Sequence, residues 1–235
     1  MPVAILMPVY DEAARLEAML ASVCELAPSI GGVTLFLVDD GSRPAVDASA
    51  LPHGPSFRIV LARHPINLGQ GAALETARQL ALRDDSIDVF VTMDADGQHR
   101  AEDARAIVRA VERGADVAFG NRFLGKSDVP SLRRLLLHAA RVFERVLTGL
   151  RLDDAHNGLR GFSRRAIERV AIRQNRMAHA TEIKQRVSRA HGLTLVEVPV
   201  TVHYSPATIA KGQRATGAAI ILRDLLGQYL FGEGP

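Results

Sequence analysis

The sequence is poor in cysteine and in aromatic side chains: Cys24 is its single cysteine, and aromatics make up 5% of its 235 residues. One cysteine excludes a disulfide framework and a zinc site built from thiolates, so a reducing compartment is expected. Scarce aromatics and an acidic N-terminal half argue against nucleic-acid binding, which uses stacking platforms and a uniformly basic face. We therefore expect no nucleic-acid partner.

Long hydrophobic runs are also lacking. The apolar stretch at the start of the chain meets acid at Asp11 and Glu12, which argues against a secretory signal peptide. The apolar stretch at 218–222 is far shorter than the roughly 20 residues that a membrane span needs. With 47% hydrophobic and 23% charged residues, the composition is typical of a folded protein. We expect a cytoplasmic protein with one domain over residues 1–235.

The formal net charge of +3 conceals a division along the chain. Residues 1–120 carry a net charge of −7, residues 121–190 carry +10, and the remainder is balanced. Such a division suggests a site where cations are held on one side and anions on the other, although arginines that only solvate helix faces would produce the same count. Motifs have to decide between these interpretations.

Short apolar runs alternate with helical patterns up to residue 120. The runs predict buried parallel strands over 3–7, 33–38, 57–61, 87–93 and 116–119. Between them, helices are predicted over 11–26, 70–82 and 101–111. The alternation predicts an α/β fold, a Rossmann-like and mainly parallel sheet flanked by helices. Later residues predict a helical C-terminal region, with helices over 131–147, 164–170, 180–190 and 213–231 and one strand over 193–202.

Polar residues collect where the predicted strands end. In an open parallel sheet, ligands bind beyond the carboxyl ends of the strands. The clusters that follow these strands lie at 8–12, 39–42, 67–71, 94–99 and 120–122. Packing alone does not account for such a convergence, so this edge of the sheet is the predicted site.

Three of these clusters suggest specific chemistry. Asp94 and Asp96, joined by Gln98, offer hard oxygen ligands suited to Mg²⁺ or Mn²⁺ on a diphosphate, or else form an acidic turn that caps the next helix. The acidic pair at 39–40 could bind a base or ribose, or close its strand as an Asx turn. The glycines at 69 and 71 precede a helix, where backbone amides can approach a phosphate.

Taken in order, the clusters resemble the GT-A glycosyltransferases of family 2, and within them the dolichyl- and polyprenyl-phosphate mannose synthase branch. The matching motifs continue with Asp-Ala-His-Asn-Gly-Leu-Arg at 154–160 and Glu-Val-Pro-Val at 197–200. This resemblance implies a GT-A fold and a metal-dependent, inverting hexosyltransferase that uses a nucleotide-diphosphate sugar.

The resemblance also implies roles for individual residues. It places the donor on Pro8, Tyr10, Glu12, Asp39, Asp40, Gly69, Gly71, Asp94 and Arg122. It assigns the cation, Mg²⁺ or Mn²⁺, to Asp94, Asp96 and Gln98. It assigns an acceptor phosphate to Arg133, Arg134, Arg160 and Lys211. The implied protein provides positioning and charge compensation for a direct displacement.

The chain departs from the family pattern at three places. Asp11 stands where the first motif usually carries Asn, and Leu137 stands where lipid-phosphate transferases commonly carry Ser. The usual closing signature is replaced by a segment from His203 to Gln213. The second departure weakens the expectation of a lipid-phosphate acceptor.

The acceptor therefore stays open between a polyprenyl phosphate and a glycan hydroxyl. A phosphate is already an anion and needs arginines, whereas a hydroxyl needs a carboxylate to take its proton. Asp154 and Glu182 are the candidate bases, with Arg122 as a catalytic cation, although Asp154 could instead pair with Arg160 to order its loop. The basic helix over 131–147 could face an anionic membrane surface, its own core or a second subunit in a homodimer.

Other functions remain as alternatives. A catalytically silent GT-A scaffold that binds a nucleotide or a protein partner is the main one, and intact Asp94, Asp96 and Gln98 argue against it. A nucleotidyltransferase would normally carry a Gly-rich first loop with Arg or Lys, which is missing after Met7.

Overall fold

One mixed sheet organises the part of the chain that the structure, a computed structural model, describes: residues 1–124, 145, 148–154, 157–175 and 178–202. Within these ranges the sheet has the order β3-β2-β1-β4-β6-β5-β7. Its strands are β1 Val3–Val9, β2 Val33–Asp39, β3 Phe57–Arg63, β4 Val89–Thr92, β5 Val117–Asn121, β6 Arg160–Ser163 and β7 Leu195–Pro199. Every neighbouring pair is parallel except those made by β6, which runs antiparallel to β4 and β5.

Helices cover both faces of this sheet. They are α1 Ala13–Leu26, α2 Gln70–Leu82, α3 Ala101–Glu112, α4 Arg164–Ile167 and α5 Ala178–Arg189, with 3₁₀ turns at Ala27–Ile30 and Ala48–Ala50. The predicted α/β class is confirmed, and each helix predicted within the described residues is present. The predicted helix over 213–231 and most of the one over 131–147 lie outside them. None of the described helices is long and apolar enough to cross a bilayer.

The strand pleat divides the hydrophobic core into two layers. In β1, Val3, Ile5 and Met7 point to the layer that contains α1 and α3. Ala4 and Leu6 point to the opposite layer, which is filled by side chains of α2, α4 and α5. All five are at most 1% exposed, as expected for a central strand covered on both faces. The two core layers thus fix the central strands, and the residues that follow β1, β2 and β4 lie together at one edge of the sheet.

Strand β6 was not predicted, and it decides the geometry of the site. Arg160, its first residue, pairs with Thr92 of β4 and with Phe119 of β5. Because β6 is antiparallel, its beginning lies at the same edge as the ends of β4 and β5. The segment before Arg160 is thereby brought next to Asp94 and Arg122.

Candidate active site at the carboxyl edge of the sheet

The ends of β1 and β2 form one corner of the candidate site. Pro8 is buried inside β1, beyond the last residue that pairs with β4, where a missing N–H is tolerated. Tyr10 follows with 48% of its surface exposed. Glu12 is partly buried and holds Arg15 at 3.1 Å. The first motif thus offers an exposed aromatic ring and a carboxylate at the predicted nucleoside end.

The two acids after β2 are occupied by the protein itself. Asp39 accepts hydrogen bonds from the backbone N–H groups of Ser42 at 2.8 Å and Val46 at 3.1 Å. Burial alone would raise the pKa of Asp39, but these hydrogen bonds and the charge of Arg63 outweigh it and lower the pKa. The carboxylate therefore holds the loop after β2 in a fixed shape.

Asp40 fixes the neighbouring loop in the same way. Its two oxygens accept the N–H groups of Leu68 at 2.9 Å and Gly69 at 2.7 Å. His64 Nδ1 lies 2.6 Å from Asp40 Oδ1, and His64 Nε2 lies 3.0 Å from Thr76 Oγ1. Asp40 thus connects the end of β2 to the start of α2.

The start of α2 is packed against distant protein. The N–H of Ala72 donates to Asn175 Oδ1 at 2.8 Å, so Asn175 caps the helix from 103 residues away. A Cβ at position 71 would collide with the backbone carbonyl of Gln174, which explains the glycine there. The N–H groups of 68, 69 and 72 are therefore paired without a phosphate, and Gly71 has a packing role.

The predicted metal pair lies beyond the end of β4. Asp94 Oδ1 accepts a hydrogen bond from Gln70 Nε2 at 2.8 Å, and a Cβ at Gly158 would collide with the same carboxylate. Burial raises the pKa of Asp94, although Arg160 and Gln70 oppose the increase. Burial also raises the pKa of Asp96, and the negative charges of Asp94 and Glu12 add to that effect. A cation bound here would offset the repulsion between the carboxylates and the cost of burying their charge.

The possible ligands fit a hard divalent cation that takes few of its ligands from the protein. Among the described residues, no three His, Cys, Asp or Glu side chains are grouped so that they could hold a metal by themselves. Asp94 and Asp96 supply two carboxylates, and Gln98 and Asp96 border a groove of about 700 Å³ between α1 and the start of α3. Mg²⁺ is commonly held by one or two carboxylates together with substrate phosphates and water, so these residues fit it.

His99 lies beneath this turn and is neutral. Burial lowers the pKa of His99 to about 4, and the cations Arg122 and Arg160 act in the same direction against nearby carboxylates. Within the described part of the chain, its Nδ1 is buried without a hydrogen-bond partner. The His99 ring is thus near both the acidic turn and the two arginines and carries no charge of its own at neutral pH.

Arg122 and Asp154 form a buried ion pair next to the acidic turn. Asp154 Oδ2 accepts hydrogen bonds from the Arg122 backbone N–H at 2.9 Å and from its Nε at 2.6 Å. Asn157 Nδ2 donates to the same oxygen at 3.3 Å. Both partners of the pair are at most 6% exposed. Arg160, buried as well, contributes positive charge at Asp94.

Glu182 is used to hold a loop. Its Oε2 accepts the N–H groups of Arg173 at 2.8 Å and Gln174 at 2.7 Å, while Oε1 binds Arg186 at 2.8 Å. This carboxylate holds the loop at 173–175, which packs against the start of α2. Its proposed role as a base finds no support in this geometry.

Several arginines of the basic segment lie at the opposite edge of the sheet. Arg164 donates to the backbone carbonyls of Asp84 and Ile87, just before β4 begins. Arg165 binds Asp116 at 2.6 Å, just before β5 begins. These two arginines contribute to the +10 charge of the segment, but their contacts stabilise the fold. Arg133, Arg134, Leu137, His203 and Lys211, which were singled out in the sequence, lie outside the described residues.

Sequence reasoning missed three residues that organise the site. Gln70 contacts Asp94, Asn175 caps α2, and Glu197 of β7 binds the segment that carries Asp154. Gln70 lies in the cluster at 67–71 and Glu197 in the motif at 197–200, so their place in these motifs was the sequence signal that could have identified them. Nothing in the local pattern marks Asn175, because its contact spans 103 residues.

The chain is similar in sequence to known proteins over most of its length. Polyprenol monophosphomannose synthase of Mycolicibacterium smegmatis is 29% identical over 205 residues, covering 84% of this chain and 76% of the relative. Undecaprenyl-phosphate mannosyltransferase of Micrococcus luteus is 30% identical over 210 residues, covering 86% and 83%. These similarities confirm the branch inferred from the motifs.

Solved structures show the same fold. Glucosyl-3-phosphoglycerate synthase of Mycobacterium tuberculosis superposes with a TM-score of 0.62 at 18% identity, covering 97% of this chain and 79% of that one. A complex of that enzyme contains Mn²⁺, uridine diphosphate and glucosyl-3-phosphoglycerate, with a TM-score of 0.59, 15% identity and coverage of 93% and 78%. The GT-A fold expected from the sequence is confirmed. The family model for glycosyl transferase family 2 matches residues 4–171, which is most of the chain, and this protein therefore belongs to that family.

Proposed function

We propose that this glycosyltransferase moves a hexose from a nucleotide-diphosphate sugar to a polyprenyl phosphate, with inversion at the anomeric carbon and with Mg²⁺ or Mn²⁺ bound. The observation that carries the proposal is the convergence of Asp94 and Asp96 with the buried Arg122–Asp154 pair at one edge of the sheet. The named activities of the two bacterial relatives support the same substrate classes.

Asp94, Asp96 and Gln98 are the residues that would hold the cation. When bound, it would neutralise the donor diphosphate and stabilise it as a leaving group. Gln70 orients Asp94 through the hydrogen bond to its Oδ1. The side chains of Tyr10 and Glu12 border the nucleoside end, whose loops are shaped by the acids at 39–40.

The arrangement of carboxylates favours a phosphate acceptor over a sugar hydroxyl. A hydroxyl acceptor needs a carboxylate that can accept its proton, and Asp154 Oδ2 already receives three hydrogen bonds. Both oxygens of Glu182 are likewise engaged. A phosphate oxygen is already ionised and can attack the anomeric carbon as the bond to the nucleoside diphosphate breaks. Arg122 and Arg160 are buried arginines at this edge of the sheet that would face the phosphate.

The acceptor also suggests where the protein works. A polyprenyl chain is held in a lipid bilayer, so we propose that the enzyme acts at the cytoplasmic surface of a membrane. The basic helix predicted over 131–147 is the natural contact, and this location, like a homodimer, stays a prediction.

The test is transfer from radiolabelled nucleotide sugars to a short polyprenyl phosphate in the presence of Mn²⁺. Asp96→Ala should lose at least about 100-fold in kcat, because one of two protein carboxylates at the cation is removed. Asp85→Ala is the matched control: its side chain is fully exposed, near Arg164 at the opposite edge, and it should keep full activity.

Two outcomes would reject the proposal. Full activity of Asp96→Ala would remove the metal role. Binding of a nucleoside diphosphate without transfer from any donor would favour the catalytically silent scaffold instead.

A further inference from the structure

We propose that Glu197 is a positioning residue that holds the Arg122–Asp154 pair in its working geometry. The inference rests on the proposed function, because it assigns Glu197 to the same site. Glu197 belongs to the Glu-Val-Pro-Val motif at 197–200, for which the proposed reaction has so far no use.

One carboxylate oxygen of Glu197 gathers two distant segments. Oε1 accepts hydrogen bonds from Asn121 Nδ2 at 3.0 Å, from the Asp153 N–H at 2.9 Å and from the Asp154 N–H at 3.3 Å. Asn121 is the last residue of β5, and the two aspartates belong to the segment that leads into β6. Glu197 therefore joins the two pieces of backbone that carry the ion pair.

Asn121 extends this connection around Arg122. Its side chain uses Nδ2 to reach Glu197 and uses Oδ1 to accept the N–H groups of Phe123 at 2.8 Å and Leu124 at 3.2 Å. Asn121, the last residue of β5, thus stabilises the turn that contains Arg122. On the other side, Asp154 binds both the backbone and the guanidinium of Arg122.

The burial pattern of β7 is unusual for a strand at the sheet edge. Leu195 and Val196 are 36% and 39% exposed, whereas the charged Glu197 is partly buried. Burial and the neighbouring charge of Asp153 raise the pKa of Glu197, although its hydrogen bonds oppose the increase. The environment therefore disfavours the charged form of this carboxylate. A partly buried acid with a raised pKa beside the proposed reacting groups is typical of a functional site.

The experiment compares Glu197→Ala with Glu197→Gln, alone and combined with Arg122→Ala. Gln keeps an oxygen acceptor at the same reach, so Glu197→Gln should keep kcat within about 3-fold of the wild type. Glu197→Ala should lower kcat by about 10- to 100-fold, since a displacement of about 1 Å has effects of this size. In the Arg122→Ala background, Glu197→Ala should cause no further loss. Glu168→Ala removes an exposed acid near Arg164 and serves as the matched control.

A second readout does not need activity. The ¹⁵N-bound Nε–H of Arg122 donates to Asp154, so its NMR signal should exchange slowly with water and should vanish in Arg122→Lys. Glu197→Ala should accelerate that exchange at least 10-fold while the main thermal transition is retained, and Glu197→Gln should not.

The outcomes separate this inference from the proposed function. If Arg122→Ala keeps full activity, the site assignment of the proposed function is wrong. If Arg122→Ala has a lowered but measurable kcat and Glu197→Ala retains both wild-type kcat and slow exchange, only the positioning role is wrong. Multiplicative losses in the double variant, or equal losses in Glu197→Ala and Glu197→Gln, would also overturn the positioning role.

Discussion

Asp11, two residues after the end of β1, occupies a left-handed backbone conformation with φ of 51°. Its Oδ1 accepts the N–H of Arg43 at 2.9 Å, and its own N–H donates to Ser42 Oγ at 3.1 Å. Asn and Asp both tolerate this conformation, and both offer an Oδ1 acceptor. The departure from the family's usual Asn therefore leaves the connection between the first two motifs intact.

We expect Asp11→Asn to leave the free energy of unfolding and kcat close to those of the wild type. Asp11→Ala should lower the free energy of unfolding by about 2 kcal/mol, because it loses the hydrogen bond from Arg43 and with it the polar side chain that makes the left-handed conformation tolerable. Urea denaturation of the three proteins checks this. Equal stability of Asp11→Ala would show that Arg43 needs no side-chain acceptor.

The carboxylates fall into two groups by the direction of their pKa shift. Asp39, Glu75 and Asp116 have lowered pKa values, because hydrogen bonds and cations outweigh burial. Asp94 and Asp96 have raised values, because burial dominates. The first group stabilises the fold as charged residues, whereas a bound cation would favour the charged form of the second.

Among the elements, β6 depends most on tertiary structure. Asp116 binds it to its surroundings: its oxygens accept hydrogen bonds from Ser163 at 3.0 Å, Arg165 at 2.6 Å and the Thr194 N–H at 2.9 Å. Hydrogen bonds from Arg165 and Thr194 overcome the effect of burial and strongly lower the pKa of Asp116. This one carboxylate thus connects β5, β6, α4 and the start of β7.

Asp116 should make the fold sensitive to acid. Because its pKa is lower in the folded state than the unfolded value of about 3.9, its stabilisation is complete above that value and is lost as the pH falls below about 4. Asp116→Asn should lower the free energy of unfolding at pH 7 by about 2 kcal/mol, since charged hydrogen bonds are lost. The variant should also lose less stability than the wild type between pH 5 and pH 2, about the range expected for such an acid.

Chemical denaturation at several pH values measures both effects. Asp85→Asn provides the control, because that side chain is fully exposed. An acid profile of Asp116→Asn that runs parallel to the wild type would contradict the assignment.

The elements up to β5 could be predicted because local pattern suffices for them. The continuous apolar runs of β1 and β2 are long enough to predict strands that are covered on both faces. Strand β6 has four residues, Arg160–Ser163, with no apolar run or alternation long enough to detect. It becomes a strand only because β4 and β5 leave a gap that it fills.

For the whole molecule, the division of charge has two origins. The acidic half includes the turn with Asp94 and Asp96 at the carboxyl edge. Of the basic segment, Arg122 and Arg160 lie at that edge, whereas Arg164 and Arg165 hold the opposite edge together. Only part of the basic segment therefore lies at the edge where the donor is proposed to bind, and its role toward the donor stays a prediction.

Ligand binding should be visible in the stability of the intact protein. Mn²⁺ together with a nucleoside diphosphate at 100 times Kd should raise the free energy of unfolding by about 2.7 kcal/mol, or about 5–10 °C in Tm. Mn²⁺ alone should have a smaller effect, because the diphosphate would supply further oxygen ligands to the cation. Differential scanning fluorimetry with UDP and GDP tests this, and Asp96→Ala should abolish the joint effect while retaining cooperative unfolding.

The sequence by itself determined the parallel half of the sheet, the chemistry collected at its carboxyl edge and the family. These properties follow from local periodicity and from residue types at strand ends, which act over a few neighbouring positions. The tertiary structure decided which partners those residues have: Asp154 with Arg122, Asn175 with α2, and Glu197 with the segment before β6. Such contacts span tens of residues and depend on where an antiparallel strand inserts, so no local pattern specifies them.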